Sequence, residues 1–331
     1  MNKIPVTIIT GFLESGKTTL INQLLKQNHT ERIAVIVNEY GEIGIDHQLV
    51  INSEEEIFQM NNGCLCCSLR ADLSNVLHSI LEVSEEKEIE FDRIVIETTG
   101  LAAPGPIAQT FFRMPFLQEN FVIDSVMTLV DSTNALHQIA HYEESVDQIA
   151  FADQLWLTKT EKVDSETEKY LRRKLNNINP GSTIDVLDIE NISFDSIFGK
   201  YLFNATNILE KAPKKHHDHN EYEHDHAHTH GIVTISLQAD RPLNPILFDE
   251  WMNELIVTFN MDMLRYKGII HLYGDPHKVI FQGVNMALEF THGSQWGKYE
   301  RSSVLVFIGK NLPVKEIEQS FQECMVKAEF V

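Results

Sequence analysis

Eight residues near the start of the chain, Gly11-Phe12-Leu13-Glu14-Ser15-Gly16-Lys17-Thr18, limit its possible folds more than any other segment, because they fit G-x-x-x-x-G-K-[ST]. They follow an apolar, β-branched run at residues 4–10 and open a helical pattern over residues 17–28. A strand, a glycine-bounded turn and a helix in that order aim backbone amides at one point before a helix N-terminus, which is a site for phosphate. Gly11 and Gly16 allow the tight loop and close approach, and the amides from Glu14 and Ser15 through Thr18 supply the donors. Lys17 is then placed for the β- and γ-phosphates, the Thr18 hydroxyl for Mg²⁺, and Thr19 for the α-phosphate.

Such a loop needs a parallel sheet behind it. Apolar runs at residues 32–38, 91–97, 125–131, 153–158 and 183–187 alternate with helical patterns at 72–83, 135–150 and 165–177. Continuous Val/Ile/Leu strands separated by helices predict an α/β fold of the P-loop NTPase type, with a mostly parallel sheet covered by helices on both faces. Further on, strand patterns at 232–237, 266–273, 278–284 and 303–309 and helical ones at 245–258 and 314–326 predict a smaller C-terminal α+β domain. Between the two, residues 211–231 read KAPKKHHDHNEYEHDHAHTHG, with seven of the 15 histidines and no apolar period. The expected organisation is a nucleotide domain at 1–205, a His-rich linker at 206–231 and an α+β domain at 232–331.

A second acidic site supports the first. In Arg93-Ile94-Val95-Ile96-Glu97-Thr98-Thr99-Gly100 an apolar strand ends in an acid, with a glycine three residues on. Glu97 suits the carboxylate that holds Mg²⁺ or its water, and Gly100 the small residue that senses the γ-phosphate. Lys17, Thr18 and Glu97 are therefore the candidate catalytic residues. For the base, Leu157-Thr158-Lys159-Thr160-Glu161 follows a strand where GTPases place [NT]-K-x-D. The Lys159 stem would lie over the base and Glu161, one methylene longer than aspartate, would pair with guanine; Asp164 is a substitute acid outside the spacing. The pattern favours GTP, with an ATP-using phosphotransferase as the rival.

The chain has four cysteines, and three of them form Cys64-Leu65-Cys66-Cys67. Thiolates this close favour soft or borderline ions such as Zn²⁺, Cu⁺ or Co²⁺ over a disulfide framework. Three sulfurs from one short loop leave a tetrahedral shell open for a carboxylate or water, with Glu42 and Glu39 as candidates and Glu39 better read as a solvated acid. Buried apolar cysteines and redox thiols are the alternatives. The histidines at 216, 217, 219, 224, 226, 228 and 230 lie among acids, a composition that binds Zn²⁺, Ni²⁺ or Co²⁺ in interchangeable geometries or serves as a solvated linker.

A net charge of −21 speaks against nucleic acid and anionic membranes as partners. No apolar run reaches the ~18 residues of a membrane span. Residues 1–5 lead straight into a strand pattern with no signal-peptide layout, which predicts a cytoplasmic protein.

GFLESGKTT, NEYGEIGID, GCLCC, ETTG and LTKT, in that order, resemble the CobW-like metallochaperone GTPases, relatives of the urease and hydrogenase nickel-insertion GTPases. LRYKGIIHLYG, FQGV and SSVLVFIGKNL look like that family's C-terminal domain, so the resemblance spans nearly the whole chain. It implies a GTPase that uses Mg²⁺, binds zinc or a similar ion (Co²⁺ or Ni²⁺) through Cys64, Cys66 and Cys67, and delivers it to a client metalloprotein, with a homodimer as one option for assembly; with no arginine finger or glutamine identifiable in the sequence, slow intrinsic turnover is expected. A zinc-buffering or sensing protein, in which nucleotide is only a conformational effector, is the alternative. Three departures stand out: Glu14 where the family usually has glycine, Glu161 where it has aspartate, and Val37 where some relatives have an acid.

Overall fold

The computed structural model describes residues 3–27, 31–37, 57–59, 68–87, 90–203, 230–298 and 300–327. Two compact units divide the chain: Met1–Lys174 with Ser182–Phe203, and Leu175–Gly181 with Asn204–Val331. Of the expected linker, 206–229 lies outside the described residues.

In the first unit the strands are β1 (Ile4–Gly11), β2 (Ile33–Val37), β3 (Ile57–Gln59), β4 (Arg93–Glu97), β5 (Phe121–Asp131), β6 (Gln154–Thr158) and β7 (Thr183–Val186). They form one sheet in the order β3-β2-β4-β1-β5-β6-β7, parallel at every pairing. The helices are α1 (Lys17–Leu25), α2 (Ser68–Lys87), α3 (Gly105–Arg113), α4 (Pro115–Asn120), α5 (Ala135–His141), α6 (Glu143–Phe151), α7 (Ser165–Ile178, its residues from Leu175 onward counted with the second unit) and the short α8 (Phe194–Ile197). Every residue of β4 is buried, as a strand covered on both faces must be. Ile9, Leu20, Leu24, Ile33, Val95, Met127 and Leu129 share one apolar core that fixes α1 against β1, β2, β4 and β5. Burial of such side chains contributes roughly 1.5–3 kcal/mol each.

The N-terminal ends of the strands are closed by a buried ion pair. Arg93 Nη1 donates to Asp124 at 3.1 Å and its Nε to Glu31 at 2.9 Å, with the guanidinium 4.9 Å from the Phe198 ring centroid. Asp124 also accepts from Thr7 Oγ1 and from the N–H groups of Gly199 and Tyr201. A charge taken out of water needs this many partners, and here they pin residues 199–201 to the sheet end opposite the phosphate loop.

The second unit holds β8 (Ile232–Ala239), α9 (Pro245–Phe259), β9 (Met263–Ile270), β10 (His277–Val284), β11 (Ala287–Gln295), β12 (Ser303–Lys310) and α10 (Val314–Glu323). Its sheet is antiparallel in the order β11-β10-β9-β12-β8. Asn244 caps α9, its side chain accepting from the N–H groups of Ile246 and Leu247, and Pro245 opens the helix. Phe248, Trp251, Tyr266, Phe281, Phe307 and Phe321 make an aromatic core between sheet and helices.

The fold class agrees with the expectation; several element limits do not. The single helix expected at 135–150 is two, α5 and α6, separated by Tyr142 in an extended conformation. The break puts the Tyr142 ring 4.9 Å from that of Phe12 in the phosphate loop. β5 begins at Phe121 rather than 125. The strand expected at 266–273 runs from Met263 to Ile270. Strands β3 and β11 and helices α3, α4 and α8 were not anticipated.

Candidate nucleotide site

Strand register gathers the predicted residues at one end of the first sheet. Ile9 stands opposite Glu97, Gly11 opposite Leu129, and Asp131 opposite Thr158. The C-terminal ends of β4, β1, β5 and β6 thus border the loop at residues 11–16, the end at which open parallel sheets bind ligands.

The loop is built by its backbone. Gly11 has φ +143°, and a Cβ there would stand 2.5 Å from Leu129 O and 2.7 Å from Ser15 Oγ. Gly16 has φ +98° and caps α1, which has neither a side-chain cap nor an acid in its first turn. Its leading amides therefore keep their donors for an incoming anion. Lys17 is buried, and its Nζ donates to Gly11 O at 2.8 Å and Phe12 O at 3.1 Å. Burial pushes the Lys17 amine below its ordinary pKa, and the Glu97 charge partly offsets this. An anion set against it favours the charged form. Ser15 Oγ is buried with no hydrogen-bond partner among the described residues, an orphaned polar atom inside the cradle. Ser15, Gly11, Gly16 and Lys17 thus fit a phosphate chain.

Thr18 Oγ1 donates to Glu97 Oε1 at 2.7 Å, which brings the two predicted Mg²⁺ residues into direct contact. A hydroxyl and a carboxylate are the hard oxygen donors that Mg²⁺ takes beside substrate phosphates. Thr18 and Thr19 are exposed, Glu97 is buried. Beyond Glu97, Thr98 N–H donates to Ile9 O at 3.0 Å and Thr98 Oγ1 to Thr10 Oγ1 at 2.8 Å. Gly100 follows, and a Cβ on it would lie 2.7 Å from Leu13 N and 2.8 Å from Leu13 Cα. Only glycine permits the turn to lie this close to the phosphate loop.

At the base motif, Thr158 Oγ1 donates to Ser15 O at 3.2 Å. Lys159 has φ +56°, and its Nζ donates to Glu14 O at 3.0 Å and to Asp131 Oδ2 at 2.7 Å. Asp131 accepts in addition from Thr133 N and Oγ1 and from Asn134 Nδ2. Burial pushes the Asp131 carboxyl upward, but these bonds, led by that from Lys159, hold it below the ordinary value. Glu161 is exposed in a one-turn 3₁₀ segment directly after Lys159. The carboxylate of Asp164, the substitute acid, accepts from Glu166 N and from Thr167 N and Oγ1, capping the start of α7. Glu14, at the departure noted above, has φ +61°, in the left-handed region that glycine adopts with less strain than glutamate.

Cys64, Cys66, Cys67, Glu42 and Glu39 lie outside the described residues, as do the histidines from 216 to 228. Cys324 is buried in the second unit, and burial, with Glu323 nearby, pushes its thiol up to about 11. That describes an inert, apolar cysteine. Among the described residues no group of three or more His, Cys, Asp or Glu is arranged to hold a metal ion, and no helix is long and apolar enough to cross a membrane.

Two residues of the site escaped sequence reading. Asp131 carries the signal that marked Glu97, an acid at the end of an apolar strand. Gln148, in α6, reaches the Gly100 turn with its side chain; nothing in its local sequence distinguishes it.

Residues 5–185 match the CobW/HypB/UreG nucleotide-binding domain, and residues 232–325 the C-terminal domain of the cobalamin synthesis protein CobW. The chain is 35% identical over 322 residues to the zinc chaperone YjiA of Escherichia coli, covering 97% of this chain and 98% of that protein. The chain belongs to the CobW/HypB/UreG family. A second relative, the zinc chaperone CobW of Pseudomonas aeruginosa, is 34% identical over 346 residues, covering 94% of this chain and 88% of the relative. The crystal structure of Zn(II)-bound YjiA GTPase from E. coli superposes with a TM-score of 0.81 at 32% identity, over 98% of this chain and all of that one. This CobW/HypB/UreG protein therefore matches that solved relative along both its units, and its nucleotide loop falls within the residues that match the family's nucleotide-binding domain.

Proposed function

We propose that this chain hydrolyses GTP in the cytoplasm and uses the cycle to carry zinc to a client metalloprotein. One combination carries the reading: a complete phosphate cradle, and similarity along 97% of the chain to a zinc chaperone, in a sequence that also holds Cys64-Leu65-Cys66-Cys67. Residues 1–205 form the hydrolytic part, 232–331 the second domain and 206–231 the link between them.

The amides of residues 14–18 and the Lys17 amine bind the phosphate oxygens. Thr18 and Glu97 would hold Mg²⁺, which would supply positive charge to offset the negative charge developing on the phosphates. Lys159 lays its stem beside the base while its amine stays fixed by Glu14 O and Asp131. Glu161 pairs with the guanine edge. The chain offers neither an arginine finger nor a water-orienting glutamine recognisable by motif, so unassisted turnover is slow, ~10⁻² s⁻¹ or below. Zinc is cargo: Cys64, Cys66 and Cys67 bind it as thiolates, with Glu42 or water as the fourth ligand. The cluster falls in the chain between the phosphate loop and Glu97, the stretch that rearranges in nucleotide switches.

Titrating GTP and ATP into metal-free protein with Mg²⁺ tests the nucleotide. GTP should bind at least about tenfold more tightly than ATP, and Lys17→Ala should lower turnover on the order of a hundredfold. Equal binding of the two triphosphates would sink the guanine reading.

A further inference from the structure

Gln148 is 1% exposed, and its Nε2 donates to two carbonyls of one turn, Gly100 O and Ala102 O, each at 3.1 Å. The turn is closed on itself by Ala102 N–H donating to Thr99 O at 3.1 Å. Its other side abuts the phosphate loop at Leu13, at the distances that exclude a Cβ on Gly100. The helix end is anchored too. Thr128 Oγ1 in β5 donates to Gln148 O at 2.8 Å, satisfying one of the carbonyls near the C-terminus of α6 that lack an intrahelical donor. One side chain thus joins β5, through its own backbone, to the turn that follows Glu97 and, through that turn, to the loop that takes the phosphates.

We propose that Gln148 is a positioning residue that holds the Gly100 turn where it registers the γ-phosphate, and so sets the preference for nucleoside triphosphate over diphosphate. The proposal rests on the hydrolase reading above. The chemistry is specific to a primary amide: both of its N–H protons are spent on carbonyls. Methionine, of similar length, has no proton to give, and glutamate sets an anion against two carbonyl oxygens. Without the clamp the two carbonyls lose their donor and the turn is free to leave Leu13. Diphosphate contacts, made by Lys17, Thr18 and the loop amides, do not pass through the turn.

The test uses the full chain with Gln148→Met and Gln148→Glu, each titrated with a non-hydrolysable GTP analogue and with GDP in the presence of Mg²⁺. In both variants the analogue should bind about tenfold or more weakly, because one buried and one half-buried acceptor lose their donor, while GDP affinity stays within about twofold. kcat should fall with the analogue affinity while the folding midpoint of the GDP complex holds. An equal loss for both nucleotides, no loss for either, or two variants that fail to bind GDP at all would overturn the proposal by reducing Gln148 to a packing role. If the wild-type chain prefers ATP, the guanine reading fails separately, and the ratio of ATP-analogue to ADP affinity tests Gln148 in the same way.

Discussion

Glu14 holds a left-handed backbone at φ +61° in the middle of the phosphate loop, where a β-carbon is strained and an acidic residue adds negative charge to a loop that fits an anion. Replacing it should help on both counts. The left-handed penalty of about 1–2 kcal/mol is partly cancelled by the extra freedom glycine gives the unfolded chain, about 0.4–1 kcal/mol. Glu14→Gly should therefore raise stability by up to about 1.6 kcal/mol, read by denaturant unfolding, and tighten GTP binding. Weaker GTP binding would show that the glutamate carboxylate assists the nucleotide. Asp131 gives a pH prediction. Its folded carboxyl lies below the ordinary value of 3.8, so its stabilisation is fully present above that value and is lost as pH falls through the lower folded one. Melting temperature against pH should show Asp131→Asn less stable than wild type near neutrality, with the gap closing below 3.8. A gap unchanged at acid pH would mean that the Lys159 bond contributes nothing. Glu97 and Asp131 show how far single residues were legible: both end apolar strands, yet only the acid followed by Thr-Thr-Gly matched a known pattern. Gln148 was illegible because its meaning lies in two carbonyls 46 and 48 residues away.

Elements with continuous apolar runs were readable because burial on both faces leaves few other options: β1, β2, β4 and β6 lie within a residue or two of their expected ends. The α5–α6 break was not readable, since Tyr142 leaves the helix to meet Phe12, a contact 130 residues away in sequence. β11 was missed for the opposite reason. It is an edge strand, mostly exposed, so its residues carry no regular apolar alternation. Packing in the second sheet is testable at one position. A Cβ on Gly283 in β10 would lie 2.2–2.4 Å from the ring carbons and hydroxyl of Tyr266, whose side chain is fully enclosed. Tyr266 Oη is also within hydrogen-bond distance of Asn285 O and Ala287 O, so the ring cannot shift without losing those partners. Gly283→Ala should destabilise the second unit by about 1–3 kcal/mol or more, seen by thermal melting, with GTP binding unchanged. A melting curve identical to wild type would refute the packing account.

For the molecule as a whole, the proposed function requires the thiol cluster and the nucleotide loop to be coupled. The cluster directly precedes α2 in the chain, and Glu97 follows the same helix one strand later. A metal on the proposed ligands Cys64, Cys66 and Cys67 would be joined to the carboxylate that meets Thr18 by the 30 residues from Cys67 to Glu97. The direct test is GTP hydrolysis by metal-free protein as Zn²⁺ is titrated in, beside Cys66→Ala. Zinc should change kcat or KM for GTP in the wild type, and Cys66→Ala should abolish the response while keeping basal turnover. Identical hydrolysis with and without zinc would contradict the coupling, leaving a GTPase whose metal binding is separate from its switch.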